Sequence, residues 1–282
     1  MNADKNKQLI KSLIPPTVRH YLYSKIVRNK NQTEFANYIL NSAIEYSKNI
    51  NGDAGSFDRR LKHLILNSYN DCPVLIQDVL TAFMPNYEKD LYQFYKNQEY
   101  LIFYRFLCYP FRSDMSCYFS PYEKALARFQ SNDILDYGAG IPYGLIYSLL
   151  NNRKSINSVT LIDLDLIHLD FVQFLINKIA PDIKLDIYRL KDTESFPKME
   201  GKYNFFFGKD IFEHLRNPLN NLKELITYSK PDTICYFDFQ NKGKKENQHL
   251  SPNIDFLTDE MIKMGFKRGT MSYGLSEFIR IM

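Results

Sequence analysis

The sequence predicts an α/β fold: a mostly parallel sheet with helices on both faces, preceded by a mainly helical N-terminal domain. After residue 130, short apolar runs alternate with helix-length segments, which is typical of right-handed β-α-β crossovers. Before residue 130, apolar residues recur at three- and four-residue spacing, as in helices. Nine of the 11 glycines follow residue 130. We therefore predict a helical domain over residues 1–130 and a sheet domain over residues 131–282.

Periodicity places three helices in the N-terminal domain. One is predicted to follow Thr33 as its N-cap residue. A second is predicted to run from Pro73 through Phe83, and a longer one from about Tyr87 to Leu107.

The second domain is predicted to contain five strands and a terminal hairpin, seven strands in all. The strands are predicted at Asn132–Tyr137, Ser158–Ile162, Ile183–Leu190, Tyr203–Phe207 and Thr233–Phe239, with the hairpin at Phe266–Tyr273 and Ser276–Met282. The helices between them are predicted at Pro142–Leu150, Leu166–Ile179, His214–Ser229 and Asn253–Met264.

Composition excludes several classes of protein. With 45% hydrophobic and 24% charged residues in 282, the chain is not expected to be disordered. No apolar run approaches the roughly 18 residues of a membrane-spanning helix, and the first residues show no secretory signal. The four cysteines have no C-x-x-C spacing, so neither a disulfide framework nor a zinc site is predicted. We expect a cytoplasmic protein with no membrane partner.

The most informative stretch joins the first strand of the sheet domain to the helix after it. Gly138, Gly140 and Gly144 lie close together there. Glycine permits positive φ and lets a ligand approach the backbone, and the helix that follows presents a partial positive charge. A tight turn without any ligand explains a lone G-x-G equally well.

Acidic residues follow the next two predicted strands. Asp163 ends the second strand and Asp192 lies just past the third. Ligands of doubly wound folds bind along this carboxyl edge, where an acid accepts hydrogen bonds from ribose hydroxyls. Each acid alone is typical of a solvated surface. The glycine turn and two acids at three consecutive strand ends together indicate a ligand site.

These motifs resemble the class I S-adenosylmethionine-dependent methyltransferases over residues 131–282. Asp136–Gly140 (DYGAG) matches the acidic-x-Gly-x-Gly loop of that family, and KDIFEHLRNPLNNLKEL resembles the segment that follows its fourth strand. The resemblance implies a Rossmann-like seven-stranded core that binds S-adenosylmethionine and releases S-adenosylhomocysteine. It implies these cofactor-binding residues: Asp136, Gly138, Ala139 and Gly140 at the methionine part, Asp163 at the ribose, and Leu164, Asp192 and Thr193 near the adenine.

The sequence departs from the family pattern at two positions. Pro142 stands where the family often has a third glycine, and Asn204 replaces the usual Asp at the start of the fourth strand. Dinucleotide-binding dehydrogenases require G-x-G-x-x-G, and the final glycine of that motif would fall at Tyr143.

Candidates for acid–base chemistry follow the fourth strand. On a helical turn, Asp210, Glu213 and His214 would share one side, and we predict Asp210 and His214 as catalytic, with His214 suited to act as a base. The same three residues match an acid-x-x-Glu-His pattern of ubiquinone-pathway O-methyltransferases, which suggests a divalent metal there. We favour no metal and keep this triad as the alternative. A further alternative is that these side chains orient the turn and cap the following helix.

Aromatic residues before the first strand are the candidates for binding an acceptor. Tyr118, Phe119 and Tyr122 are predicted to line the acceptor pocket, or else to join the two domains. The Asn/Asp-Pro-Pro-aromatic motif of nucleobase amino-methyltransferases is absent, so a nucleic-acid partner is not favoured. The sequence therefore predicts methyl transfer to the oxygen or nitrogen of a small molecule. The alternatives are a catalytically idle cofactor-binding protein, a tRNA or protein methyltransferase, and aminopropyl transfer.

Overall fold

The computed structural model describes residues 30–51, 91–97, 99–112, 115–192, 196–239, 253–272 and 274–281. The chain divides into two compact units, Met1–Leu80 with Phe103–Met115 and Thr81–Ile102 with Ser116–Met282. The helix that precedes the first strand belongs to the same unit as the sheet; the domain boundary at residue 130 stays a prediction.

Three helices are described before residue 113. Helix α1 spans Lys30–Asn51, α2 spans Leu91–Asn97 and α3 spans Glu99–Arg112. The predicted apolar face of α1 is buried at Phe35, Ile39, Ala43 and Tyr46. The prediction of Thr33 as an N-cap is wrong, because α1 already begins at Lys30 and Thr33 lies inside it. The helix predicted from residue 73 to residue 83 lies outside the described residues.

The remaining elements build one layered domain. In chain order they are α4 (Ser116–Arg128), β1 (Asn132–Tyr137), α5 (Tyr143–Asn152), β2 (Ile156–Leu164), α6 (Ile167–Ile179), β3 (Lys184–Leu190), β4 (Tyr203–Gly208), α7 (Pro218–Thr227), β5 (Ser229–Phe237), α8 (Leu257–Lys263), β6 (Phe266–Ser272) and β7 (Leu275–Arg280). Single 3-10 turns follow α5 at Arg153–Ser155 and β4 at Phe212–His214.

The sheet has the strand order β3-β2-β1-β4-β5-β7-β6. Strands β1 to β5 are parallel, whereas β7 pairs antiparallel with both β5 and β6. This confirms the predicted Rossmann-like sheet of seven mostly parallel strands with a terminal hairpin. The chain leaves β1 toward β2 on one side and returns through β4 on the other. The carboxyl ends of β1 and β4 therefore form the crevice in which such folds bind ligands.

Successive side chains along the strands point to opposite faces of the sheet, and both faces are buried. Leu135 and Tyr137 of β1 belong to an apolar cluster with residues of α7 and α8. On the opposite face, the ring of Tyr122 from α4 contacts Phe205 and Phe207 of β4, with ring centroids 4.8 and 5.3 Å apart. Helices thus cover both faces, as the sequence predicts.

Three predicted starts are wrong. Helix α8, predicted from Asn253, begins at Leu257. The helix predicted over His214–Ser229 begins only at Pro218, since proline is favoured in the first turn of a helix and costly in its interior. Strand β5 begins at Ser229 instead of Thr233; its first residues include the exposed Asp232, whose φ is +63°.

None of the helices in the described part of the chain is long and apolar enough to cross a membrane.

Candidate functional site

The glycine loop after β1 is tied to the end of β2. Gly138 and Gly140 adopt φ of +68° and +51°, a left-handed conformation that favours glycine. The carbonyl of Ile162 accepts hydrogen bonds from the backbone N–H groups of Gly138 and Ala139, at 2.9 and 3.3 Å. A Cβ at Gly138 would lie 2.7 Å from the side chain of Ile211. The absence of a side chain at Gly138 is therefore required by the packing of the protein itself.

Asp163 joins this loop to the carboxyl end of β2. Its Oδ2 accepts a hydrogen bond from the N–H of Gly140 at 2.5 Å, and its Oδ1 accepts one from the N–H of Leu164 at 2.6 Å. The side chain keeps 15% of its surface exposed. A carboxylate offers about four acceptor positions, so two bonds to the backbone fix its orientation and leave capacity for a ligand hydroxyl.

Asp136 lies beneath the loop instead of beside the crevice. It is buried, and its Oδ2 accepts a hydrogen bond of 2.7 Å from the hydroxyl of Tyr122. Burial raises the pKa of Asp136 well above its ordinary value; the Tyr122 hydrogen bond opposes this, and the charge of Asp163 adds to it. Burial and the neighbouring Asp136 also raise the pKa of Tyr122. Tyr122 therefore remains a hydrogen-bond donor at neutral pH.

The other residues that the resemblance implies for the cofactor extend along the same edge. Leu164 is buried as the last residue of β2. Asp192 is exposed just after β3. Thr193 lies outside the described residues. The structure thus brings the glycine loop, Asp163 and Leu164 into one hydrogen-bonded cluster.

The segment after β4 folds back toward the glycine loop. Asp210 has a φ of +56°, a conformation that is uncommon outside glycine and concentrates at functional sites. Its carboxylate pairs with Lys209, whose ammonium lies 5.4 Å from the centre of the Tyr118 ring. Ile211 follows and packs against Gly138.

The three predicted acid–base residues do not lie on one helical turn, and their exposures differ. Asp210 lies before the 3-10 turn and its side chain is 40% exposed, whereas Glu213 is 2% exposed and His214 is half-buried. Burial raises the pKa of Glu213 to about 7; a backbone hydrogen bond and Lys209 oppose the rise, and the charge of Asp238 adds to it. Glu213 is therefore the acid in this segment with the pKa best suited to proton transfer at neutral pH.

The structure does not bring the alternative metal triad together. Among the described residues, no group of three or more His, Cys, Asp or Glu side chains is arranged to hold a metal ion. Asp210 instead pairs with Lys209.

The predicted acceptor residues pack α4 against α5 and the sheet. Phe119 stacks on Tyr147 with ring centroids 4.1 Å apart, and Tyr118 meets Tyr143 edge-on at 5.4 Å. Tyr122 has no exposed surface. In this structure Tyr122 is a core residue, and the aromatic contacts of Tyr118 and Phe119 join α4 to α5.

Two neighbouring residues escaped the sequence analysis. His168 in the first turn of α6 is buried with its Nε2 3.5 Å from Oδ2 of Asp163. Asp238, directly after β5, is buried and raises the pKa of Glu213. The rule that selected Asp163, an acid at the end of a parallel strand, selects Asp238 as well.

No protein-family model matches the chain, and no curated protein sequence matches it. Solved structures with a similar fold include an S-adenosylmethionine-dependent methyltransferase from Aquifex aeolicus (18% identity, TM-score 0.44, covering 58% of this chain and 90% of that one). Another is a putative methyltransferase of the same cofactor class from Listeria monocytogenes (12%, 0.45, covering 59% and 98%). A third is the [4+2]-cyclase SpnF (13%, 0.42, covering 53% and 58%). Because one fold supports several activities, these likenesses assign no activity to this chain.

Proposed function

We propose that the protein binds S-adenosylmethionine at the carboxyl edge of the sheet and transfers its methyl group to the oxygen or nitrogen of a small molecule. The observation that carries this proposal is the position of Asp163. Its carboxylate is held by Gly140 of the glycine loop and by Leu164 of β2, at the carboxyl edge of the sheet where doubly wound folds bind ligands.

The donors and acceptors present suit this cofactor. Asp163 is placed to accept hydrogen bonds from the ribose hydroxyls, and Leu164 offers apolar surface to the adenine. Helix α5 begins directly after the loop with no side-chain cap at Pro142. Its first N–H groups and helix dipole therefore favour the carboxylate of the amino-acid tail. We assign the adenine end to the exposed Asp192 and to Thr193 by the family resemblance alone.

When bound, the cofactor supplies an activated methyl group for in-line displacement, so the protein contributes mainly by positioning donor and acceptor. An acceptor hydroxyl or ammonium also loses a proton. Glu213 with a pKa of about 7, His214 and Asp210 lie in the segment after β4 that packs on the loop. We propose that one of these groups receives the proton, with Glu213 favoured by its pKa.

A product assay tests this function directly. The protein is incubated with S-adenosylmethionine and a panel of hydroxyl- and amine-bearing metabolites, with and without chelator, and S-adenosylhomocysteine is quantified by mass spectrometry. We expect acceptor-dependent product that survives chelation. Tight binding of the cofactor with no turnover on small molecules, tRNA or proteins would instead identify an idle binding protein. Preferred use of the decarboxylated cofactor would identify aminopropyl transfer.

The acceptor is proposed to enter from the side of Tyr118 and Phe119, although their aromatic contacts also hold α4 to α5. The cytoplasmic location stays a prediction, as does the preference for small molecules over nucleic acid.

A further inference from the structure

Helix α4 contacts both ends of the glycine loop. At the start of the loop, the hydroxyl of Tyr122 donates a hydrogen bond to Asp136, two residues before Gly138. At the end of the loop, the ring of Tyr118 packs edge-on against Tyr143, the first residue of α5. The loop is therefore bracketed by two side chains of a single helix.

The approach of α4 to the loop depends on Gly144. A Cβ at this position would lie 2.4 Å from the backbone oxygen of Tyr118 and 2.4 Å from the ring of Tyr122. Real Cβ atoms are not found so close to backbone atoms, so α4 reaches Asp136 only because residue 144 has no side chain. The third glycine of the motif thus serves the packing of α4.

The ring of Tyr122 is fixed independently of its hydroxyl. It meets Phe205 edge-on at 4.8 Å and Phe207 at 5.3 Å. The two rings of β4 therefore hold the Tyr122 ring so that its hydroxyl points at Asp136. Without that donor, Asp136 would be a buried carboxyl group close to the charge of Asp163, and an unsatisfied buried acceptor is costly.

We propose that Tyr122 is a positioning residue of the cofactor site, which holds Asp136 and through it the glycine loop in the arrangement that binds the cofactor. The inference rests on the proposed function and assigns Tyr122 to the cofactor side of the site instead of the acceptor pocket. If Tyr122 has this role, the affinity for the cofactor also depends on how α4 packs against the sheet.

The test is the affinity of S-adenosylhomocysteine, measured by calorimetry, in Tyr122→Phe and a matched control. Tyr122→Phe keeps the ring and its packing and removes only the hydroxyl. Tyr203→Phe is the control, because it deletes another buried tyrosine hydroxyl, one bonded to Thr160 at 2.9 Å at the start of β4. We expect Tyr122→Phe to weaken binding at least about fivefold and Tyr203→Phe to leave it unchanged, although both lower the melting temperature.

A double-variant cycle separates positioning from general destabilisation. If Tyr122 acts through Asp136, then Tyr122→Phe combined with Asp136→Leu weakens binding no more than Asp136→Leu alone. Asp136→Asn keeps an oxygen acceptor for the tyrosine hydroxyl and is expected to bind S-adenosylhomocysteine more tightly than Asp136→Leu, which keeps none. This second variant tests the same bond should Tyr122→Phe fold poorly.

The outcomes distinguish this inference from the function on which it rests. Wild-type protein that does not bind S-adenosylhomocysteine overturns both. If the wild type binds, the positioning role alone is overturned by any of four results. These are an unchanged affinity in Tyr122→Phe, an equal loss of affinity in Tyr203→Phe, additive losses in the double-variant cycle, or an affinity in Asp136→Asn no higher than in Asp136→Leu.

Discussion

Gly138 meets two requirements that only glycine satisfies together. Its φ is +68°, and a Cβ would lie 2.7 Å from Ile211. A left-handed conformation costs a non-glycine residue about 1–2 kcal/mol, and the added contact costs roughly a further 1–3 kcal/mol.

Gly138→Ala is therefore expected to destabilise the fold and to abolish binding of S-adenosylhomocysteine. Gly265→Ala is the matched control, because Gly265 has a φ of +88° with nothing within 4 Å of the added Cβ. Chemical denaturation should give the larger loss in Gly138→Ala by about 1–3 kcal/mol. Equal losses in the two variants would mean that Ile211 moves aside freely.

Glu213 makes the stability of the protein depend on pH. Burial raises its pKa from an ordinary 4.5 to about 7, so between these values the unfolded chain releases a proton that the folded protein keeps. Stability contributed by this group is present at acid pH and is lost as the pH rises through that window, by about 3 kcal/mol at 1.36 kcal/mol per pKa unit.

Glu213→Gln is expected to gain stability relative to the wild type as the pH rises from 4.5 to 8. Denaturant unfolding of both proteins across this range measures the difference in their free energies of unfolding. Glu224→Gln is the control, because it removes an exposed carboxylate. A difference that stays constant with pH would show that Glu213 ionises normally in the folded protein.

The sequence predicts the location of the residues at the crevice better than it predicts the role of each residue. Asp163 was identified because an acid at the end of a parallel strand must lie at the carboxyl edge. The sequence does not predict the roles of Ile211 and Tyr122, because both roles depend on contacts between segments far apart in sequence. The prediction that Asp210 and Glu213 lie on one helical turn was wrong because helical spacing was assumed where Asp210 adopts a positive φ.

At the scale of elements, α4 and α5 approach closely at Gly144. Helix propensity predicts that Gly→Ala stabilises a helix by up to about 1 kcal/mol. The contacts at 2.4 Å with Tyr118 and Tyr122 predict the opposite sign. The sign of the stability change in Gly144→Ala therefore shows whether helix propensity or overpacking dominates.

Gly144→Ala is expected to lower the free energy of unfolding by about 1–3 kcal/mol through overpacking. Asn151→Ala, at an exposed position of the same helix, should change it by less than about 0.5 kcal/mol. Thermal or denaturant unfolding checks both. A gain of stability in Gly144→Ala would show that α4 packs farther from α5 than described.

Element boundaries could be predicted where local signals were strong. Strand β1 has the predicted bounds, because NDILDY is closed by the glycine loop. The helix after β4 was placed too early, although Pro218 marks its first turn. The start of β5 is missed because Lys230, Pro231 and Asp232 are polar or unsuited to a central strand. They lie at an irregularity in the pairing with β4, between Ser229, which pairs with Tyr203, and Ile234, which pairs with Phe205.

At the scale of the whole molecule, the order of the strands determines where a ligand can bind. The crevice between β1 and β4 follows from a chain that runs outward through β2 and β3 and then returns. Alternating strands and helices predict the parallel sheet covered on both faces, whereas the order of the strands is seen only in the structure. What enters the crevice depends on a few side chains, among which we propose that Asp163 recognises a ribose.

The affinity of S-adenosylhomocysteine for the wild type, Asp163→Ala and Asp165→Ala, measured by calorimetry, tests this assignment most directly. Asp165 is a nearby acid paired with Arg189 at 3.2 Å, so its removal controls for the loss of local charge. We expect wild-type binding, a loss of about 10- to 100-fold in Asp163→Ala (roughly 1.5–3 kcal/mol for a charge-assisted hydrogen bond), and little change in Asp165→Ala. Binding that is undiminished in Asp163→Ala, or absent in the wild type, would contradict the assignment.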